Sequence, residues 1–269
     1  MSSESVDDLI AASLTGDGED DAAWAAVKKL HLIGSQEVLE KAIALTHSDL
    51  PDHRARGADI LAQLGVAPLK HSNSFIPERL HALTQLLRTE SDLEVVRSAI
   101  VALGHLEAAE GIRDVLKFAE HPNENIRYAV AISLPTGLGD EPEVISTLIK
   151  LMSDSDSDVR DWATFGLGTQ SDADSDRIRE ALYQRLQDTD EDTRAEAVVG
   201  LAKRRDLRVL PVIIEELERD EYGVLYEEAA SHLLELDDVR PEGWESWRYI
   251  EELRAKFNIV EVSESLPPQ

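Results

Sequence analysis

An apolar pattern recurs along the middle of the chain. In five segments a core position is followed four residues later by a small residue and after four more by a leucine, which places all three on one face of a helix. The leucines are Leu103, Leu134, Leu167, Leu201 and Leu234, and the residues four before them are Ala99, Val130, Ala163, Ala197 and Ala230. The leucines are separated by 31, 33, 34 and 33 residues, the length of one helical hairpin in a repeat protein.

A second apolar series, also with helical spacing, lies between these segments. It comprises Ile112, Val115 and Leu116; Ile145, Leu148 and Ile149; Ile178, Leu182 and Leu186; and Leu210, Ile213, Ile214 and Leu217. Acidic turns such as Asp154 to Asp158 separate the units, and their carboxylates can cap the N–H groups that begin the next helix. The pattern predicts an all-α fold, a right-handed α-solenoid of about seven helical hairpins.

The pattern weakens towards both ends of the chain. We predict that residues 1–20 form an acidic segment, either a short capping helix or mobile, and that residues 21–240 hold the repeat array. Trp244, Trp247, Ile250 and Leu253 recur every three residues, so residues 241–258 are predicted to form a C-terminal helix that covers the last repeat. Residues 259–269 are expected to be a mobile tail.

Periodic strings in these units carry a family resemblance. The string Asp158-Val159-Arg160-Asp161-Trp162-Ala163, ending in Leu167-Gly168, resembles HEAT repeats of the phycobilisome-lyase-like type. The resemblance spans roughly Asp21 to Leu236, and it implies a helical solenoid that serves as a protein-binding scaffold. The stretch Asp158 to Leu217 also resembles small bacterial HEAT proteins, some of which are thought to act as immunity proteins against Rhs-type toxins.

The charge of the chain narrows the class of partner. The chain has 54 Asp and Glu against 27 Lys and Arg, a net charge of −27. Such a surface repels phosphate backbones and anionic membranes, so we expect neither nucleic acid nor membrane as a partner. A basic protein fits better because long-range attraction would speed its encounter. The alternative is that the charge provides only solubility. With neither a signal peptide nor an apolar stretch long enough to span a bilayer, we expect a cytoplasmic protein.

Motifs for metal or catalytic chemistry fail in this sequence. Asp154, Asp156 and Asp158 copy the start of a calcium-binding loop, but Val159 stands where a glycine is required and Phe165 where a glutamate should bind. The chain has no cysteine, and none of its eight histidines is followed by glutamate, the pair that holds iron in the HEAT-like deoxyhypusine hydroxylase. We therefore predict no metal, no cofactor and no enzymatic activity.

Candidate partner-binding residues cluster in the repeats. Trp162 and Phe165 lie three apart and off the apolar stripe, and Tyr128 lies near the equivalent place one repeat earlier. They either pack between repeats as core or project into a concave groove, where an aromatic cluster rimmed by carboxylates would form an interface hot spot. Asp161 and Glu196 would supply the acidic rim.

Arginines also repeat in register. Arg127, Arg160 and Arg194 each stand seven residues before a repeat leucine, and in HEAT-like families this arginine commonly pairs with an acidic residue of the adjoining unit. We interpret them as a structural ladder rather than as ligand contacts. The basic island Lys203-Arg204-Arg205 is likewise interpreted as structural or solvated, with a phosphate site as the alternative.

The sequence thus predicts a non-enzymatic scaffold whose acidic concave groove binds a protein partner, a basic toxin domain being one version. Two alternatives stay open. One is a lyase-like enzyme or auxiliary subunit that acts on a tetrapyrrole, and the other is a structural spacer in a larger assembly.

Overall fold

The computed structural model describes residues 4–16, 20–65, 74–134, 140–219 and 223–259. The chain divides into two compact units, Met1–Leu151 and Met152–Gln269. The described residues of both units are helical, with no strand among them.

The described part of the first unit contains nine α-helices. They are α1 (Val6–Ser13), α2 (Asp21–Ile33), α3 (Gln36–Thr46), α4 (Pro51–Ala62), α5 (Ile76–Thr89), α6 (Leu93–Leu106), α7 (Ala109–Val115), α8 (Glu124–Ser133) and α9 (Pro142–Leu151). Helix α4 packs against α3 and α6, and α6 packs in turn against α8, so α4, α6 and α8 form one layer.

The described part of the second unit contains six α-helices. They are α10 (Ser157–Phe165), α11 (Asp176–Arg185), α12 (Glu191–Lys203), α13 (Leu210–Leu217), α14 (Val224–Leu234) and α15 (Ser246–Phe257). Helix α12 packs between α10 and α14, so these three form one layer, while α11 and α13 pack on it from the other side. The described residues thus form fifteen α-helices and no strand, with neighbouring helices packed in layers, so the prediction of an all-α repeat fold is confirmed.

The predicted apolar stripe forms the core of each unit. In α6, α8, α10 and α12 the stripe residues are at most 1% exposed. They are Val95, Ala99 and Leu103; Ile126, Val130 and Leu134; Val159, Ala163 and Leu167; and Thr193, Ala197 and Leu201. In α14 the stripe is looser, since Tyr226 and Ala230 are buried while Leu234 is half-buried. Burial of this stripe supplies the main hydrophobic stabilisation of the layer.

Aspartate or asparagine side chains cap four of the layer helices, α6, α8, α10 and α12. The side chains of Asp92, Asn123, Asp156 and Asp190 each accept a hydrogen bond from a backbone N–H in the first turn of the helix that follows. A carboxylate or amide oxygen there satisfies a donor that has no partner within the helix.

The C-terminal helix differs from the predicted register. Helix α15 begins at Ser246, so Trp244 precedes it, and Trp247 is 59% exposed. The buried face is formed instead by Tyr249, Ile250 and Leu253, because a spacing of three drifts around a helix of 3.6 residues per turn. At the other end, α1 lies within the acidic segment 1–20. Most of the predicted tail, residues 260–269, lies outside the described residues.

A backbone-to-backbone contact joins α10 and α12. After Phe165 the chain leaves the α-helix and makes a π-helical turn, Gly166–Gln170, in which the Ser171 N–H donates to the Gly166 carbonyl over 3.1 Å. There, a Cβ built on Gly200 would lie only 2.6 Å from the Cα of Gly168. Two glycines thus let the turn touch α12 directly.

We expect Gly200→Ala to destabilise the protein by about 1–3 kcal/mol, because the added methyl meets backbone that cannot move aside. Urea unfolding followed by circular dichroism measures the change. Gly111→Ala in α7 is the matched control, since its Cβ would meet only the methyl ends of Leu80 and Leu103 at 3.0 Å. Equal losses in the two variants would contradict the backbone contact.

Candidate functional site

Four of the five predicted partner-binding residues lie in the second unit, and one lies in the first. Asp161, Trp162 and Phe165 belong to α10, and Glu196 belongs to α12. Tyr128 belongs to α8 in the first unit, where it is half-buried. The candidate site described below is therefore built from the second unit alone, and a partner-binding role for Tyr128 stays a prediction.

Helix register places the four residues on the side of the layer away from its core. Asp161 and Trp162 stand five and six residues after the N-cap Asp156, and Glu196 stands six after the N-cap Asp190. The buried stripe occupies the third and seventh residues after each N-cap, so Asp161 lies almost opposite the stripe, and Trp162 and Glu196 lie to one side of it. We call the surface formed by Asp158, Asp161, Trp162, Phe165, Asp192, Glu196 and Glu228 the acidic face.

An aromatic pair forms the apolar part of the acidic face. The rings of Trp162 and Phe165 meet edge to face with 5.6 Å between centroids. Trp162 keeps 36% of its surface exposed, and Phe165 is half-buried. An amphipathic ring that stays partly in water beside carboxylates is a common anchor in protein interfaces.

Among the described residues, no hydrogen bond or ion pair stabilises the negative charge of Asp161. Its Oδ1 is buried and finds no hydrogen-bond partner among the described residues. Burial, and then the neighbouring charges of Asp190, Asp192 and Asp158, raise the pKa of Asp161 to about 6. The side chain is therefore an acceptor that the unit itself leaves unused.

Glu196 is held next to Asp161 in a similar state. Burial raises the pKa of Glu196 to about 7, against a lowering effect of the hydrogen bond that the Thr169 hydroxyl donates over 2.8 Å. The charges of Asp161, Glu228 and Asp192 raise that pKa further. Thr169 belongs to the π-helical turn, so the glycine contact that seats this turn also positions Glu196.

The groups that act on this pair are carboxylates rather than cations. Asp158 on α10, Asp190 and Asp192 at the start of α12, and Glu228 on α14 all disfavour its ionisation. Glu228 itself has His232 at 3.7 Å, and burial lowers the pKa of that histidine. No group of three or more metal-ligating side chains is arranged for a metal ion within the described part of the chain. The arrangement can attract a cation but lacks the geometry of a metal centre.

The repeated arginines hold the loops between hairpins. Arg160 forms a two-pronged ion pair with Asp188, with Nε and Nη2 at 2.9 and 2.8 Å from the two carboxylate oxygens. Its Nη1 donates to the Asp154 carbonyl over 3.0 Å. Arg127 donates in the same way to the His121 carbonyl, and Arg194 to the Asp188 carbonyl. Asp188 thus accepts Arg160 through its side chain and Arg194 through its backbone, and links α10 to α12.

Sequence reasoning missed a fourth member of this series. Arg54 on α4 also stands seven residues before a buried leucine, Leu61, and its Nη1 donates to the Ser48 carbonyl over 3.0 Å. Its Nε lies 2.6 Å from Glu90, and this hydrogen bond lowers the pKa of Glu90 to about 2. The seven-residue spacing was the available signal, but α4 carries the polar His53 and the side-chain-less Gly57 at the two stripe positions before Leu61, which obscured the repeat pattern.

Arg204, the central residue of the basic island Lys203-Arg204-Arg205, has a structural role. Arg204 is 6% exposed, and it donates to the carbonyls of Leu167, Gly168 and Ser171 at the end of the π-helical turn. Lys203 donates to the Thr169 carbonyl over 2.8 Å, and Arg205 is exposed and pairs with Glu235. These contacts support the turn that carries Thr169.

We expect Arg160→Ala to destabilise the protein by about 2–4 kcal/mol, because it leaves the 4%-exposed side chain of Asp188 without its main partner. Chemical unfolding measures the loss. Lys29→Ala, which removes an ion pair with Glu4 between two side chains that are more than half exposed, is the control and should cost under about 1 kcal/mol. A similar cost for both would contradict a special role of the arginine series.

The double variant Asp161→Asn, Glu196→Gln should be more stable than the parent at about pH 8 and equally stable at about pH 4. Raised pKa values mean that the folded state binds more protons than the unfolded state, so ionisation destabilises the fold as the pH rises from about 4 to about 7. Because both groups remain partly solvated, we expect a gain of about 1–2 kcal/mol, a few degrees in melting temperature. Melting curves at the two pH values test this, and a gain of equal size at both would contradict it.

Comparisons with known proteins agree with this architecture. The sequence profile of HEAT repeats matches residues 80–168 and 145–233, which together span more than half of the chain. Protein YibA of Escherichia coli strain K12 is 27% identical over 201 residues, which cover 72% of this chain and 69% of YibA. Within the described residues, no helix has the length and apolar character needed to cross a membrane.

Solved structures are similar in fold. An X-ray structure of E. coli YibA matches with a TM-score of 0.70 at 24% identity, over 92% of each chain. A HEAT-like repeat protein of the archaeon Thermococcus onnurineus NA1 matches with a TM-score of 0.55 at 17% identity, over 90% of this chain and all of that one. The CpcE and CpcF complex of phycocyanin lyase from Nostoc sp. PCC7120 matches with a TM-score of 0.50 at 15% identity, over 95% and 96% of the chains. The repeated hairpins, the buried stripe and the profile match together show that this chain belongs to the HEAT-repeat family.

Proposed function

We propose that this chain is a non-enzymatic scaffold that uses the acidic face of its second unit to bind a basic segment of a protein partner. HEAT repeats typically serve as protein-binding scaffolds, and fold alone does not identify the partner. The proposal therefore depends on the chemistry of the acidic face.

One observation carries the proposal: Asp161 and Glu196 are partly buried carboxylates beside the partly exposed Trp162, and no cation of the described residues forms an ion pair with either carboxylate. Keeping Asp161 and Glu196 together costs free energy, as their raised pKa values indicate. Natural proteins tolerate such costs mainly where a binding or catalytic role requires them. A partner that brings positive charge would turn the repulsion into attraction.

A neighbouring cavity enlarges the surface that the acidic face offers to a peptide, and the net charge favours a basic one. A cavity of about 370 Å³ borders this face at Asp192, and its wall, formed by residues of α12, α13 and α14 and their loops, contains both carboxylates (Glu191, Glu216) and arginines (Arg194, Arg219). The net charge of −27 would also steer a basic partner from a distance and raise its association rate.

A basic toxin domain is one version of this partner, suggested by the resemblance to small bacterial HEAT proteins, some of which are thought to act as immunity proteins. An immunity protein must bind its toxin quickly and block it without performing chemistry, and an acidic, non-catalytic surface suits that role.

Fewer observations support the two alternative functions, a lyase-like enzyme and a structural spacer. A lyase-like enzyme is supported by the similarity to CpcE and CpcF, which at 15% identity shows the fold alone. A structural spacer would explain the repeats but not the uncompensated carboxylates, which cost stability without serving a spacer.

We expect a Lys- and Arg-rich peptide of about twelve residues to bind, and its Glu-substituted counterpart not to bind. Isothermal titration calorimetry should show an affinity that falls about tenfold in the double variant Asp161→Asn, Glu196→Gln. Binding should also weaken from about pH 8 to about pH 5, because Asp161 and Glu196 become neutral over that range.

The matched control is Glu251→Gln, Glu252→Gln on α15, which changes the net charge equally through two exposed side chains. It should keep nearly the parent affinity. If both double variants lose affinity equally, the attraction is a property of total charge and the proposed face is wrong. If the basic peptide does not bind the parent at all, the scaffold proposal itself fails.

A further inference from the structure

The cavity that borders the acidic face at Asp192 contains an unused hydroxyl group. Tyr226 on α14 occupies the first position of the apolar stripe, where α6, α8 and α10 carry the aliphatic residues Val95, Ile126 and Val159. The residue is only 8% exposed, and it lines the cavity. Its hydroxyl forms no hydrogen bond with any described residue, and it is not one of the polar atoms that are sealed from solvent without a partner. The hydroxyl therefore opens towards the cavity and is available to a ligand.

The N-terminus of α14 lines the same cavity and lacks a side-chain cap. Its N-cap residue is Gly223, whereas aspartate side chains cap α10 and α12. The N–H of Tyr226 donates to the Gly223 carbonyl over 3.1 Å, but the N–H groups of Val224 and Leu225 donate to no described residue. Unpaired N–H groups and the helix dipole both favour an anion at this end of a helix.

Two arginines complete the set of donors in the cavity wall, Arg194 on α12 and Arg219 after α13. The Nη2 of Arg194 lies 3.4 Å from Glu191, and the Nη1 of Arg219 lies 2.8 Å from Glu216. Because a guanidinium has five N–H donors, both arginines keep donors beyond these pairs. Burial and the charge of Glu216 raise the pKa of Tyr226, whereas both arginines lower it, so these charges lie near the hydroxyl.

We propose that this cavity receives the C-terminal carboxylate of the partner's basic segment. This assignment rests on the proposed function and makes it more specific, since it places the basic segment at the end of the partner's chain. The carboxylate would accept hydrogen bonds from the Tyr226 hydroxyl, from the N–H groups of Val224 and Leu225, and from the arginines. The basic residues that precede it would reach the acidic face.

The mixed charge of the cavity favours this ligand over a small inorganic anion. The wall carries the carboxylates of Glu191, Asp192 and Glu216 beside the two arginines, so a doubly charged phosphate would meet more negative than positive charge. A peptide end brings a single negative charge, and the lysine or arginine residues next to it can pair with the surrounding carboxylates. The volume of about 370 Å³ is sufficient for the end of a peptide.

The experiment compares two peptides that differ only at the C-terminus. The probes are acetyl-Gly-Lys-Arg-Lys-Ser-Ala with a free carboxylate and the same peptide as its amide, each titrated into the protein by isothermal titration calorimetry at neutral pH. Attraction to total charge alone favours the amide, because its net charge is more positive. We expect the opposite order, with the carboxylate peptide binding at least about threefold more tightly.

Conservative variants isolate the hydroxyl and the arginine. Tyr226→Phe keeps the ring in the core, and it should reduce the preference for the carboxylate at least about twofold while leaving the amide affinity unchanged. Arg219→Gln should also reduce this preference, and the ratio of the two affinities separates that loss from the change in net charge. Tyr183→Phe on α11 removes the hydroxyl of an exposed tyrosine, so this matched control should keep the preference of the parent.

Equal binding of the two peptides, or tighter binding of the amide, would overturn this assignment. So would a preference that Tyr226→Phe leaves unchanged, or inorganic phosphate that binds as tightly as the carboxylate peptide. If these results occur while the longer Lys- and Arg-rich peptide still distinguishes the parent from the double variant Asp161→Asn, Glu196→Gln, the terminal site fails but the proposed function stands. If no basic peptide binds, both fail.

Discussion

Close approach of neighbouring helices is the constraint on which the layers depend. The middle of the apolar stripe carries Gly57, Ala99, Ala163 and Ala197, and larger side chains there would hold the helices apart. The contact is closest between the π-helical turn and α12, where Gly168 and Gly200 meet backbone to backbone. Once the helices are this close, the residues that flank the stripe on one helix face those on the next, and their charges interact.

The acidic face follows from this spacing. Asp161 and Glu196 lie off the stripes of neighbouring helices, and packing α10 on α12 brings the two carboxylates near each other and withdraws both partly from water. Each effect disfavours the charged form, and hydrophobic burial of Val159, Ala163 and Ala197 compensates for the cost. The packed helices α10 and α12 thus hold the two carboxylates close together despite their mutual repulsion.

The two units solve the same electrostatic problem differently. On α4, Asp59 is desolvated and its pKa is raised by burial, but Arg56 lowers it, helped by a hydrogen bond with Ser98. On α10 and α12 no such arginine accompanies the carboxylates. Elsewhere in the second unit arginines are abundant and well paired, as with Arg160 and Asp188. The lack of a cation at Asp161 and Glu196 is therefore local, which is why we assign it a function.

Much of the architecture could be predicted because helical periodicity is local. The spacing of Val159, Ala163 and Leu167 defines a helix, its buried face and, by recurrence, a stack of hairpins, and acidic N-caps such as Asp156 and Asp190 mark where helices α10 and α12 begin. The same register places Asp161, Trp162 and Glu196 off the core face. Periodicity does not predict the change from α-helix to π-helical turn after Phe165, because that change depends on contact with Gly200.

The sequence by itself determined the helices, the order of the hairpins and the candidate residues, because these depend on neighbours within one or two turns of the chain. Only the tertiary structure decided which of those residues meet. Within the second unit it joined Thr169 to Glu196 and left Oδ1 of Asp161 without a donor among the described residues. The physical reason is that burial and Coulomb interaction depend on distance in space, which helix packing sets and which the linear spacing of residues does not contain.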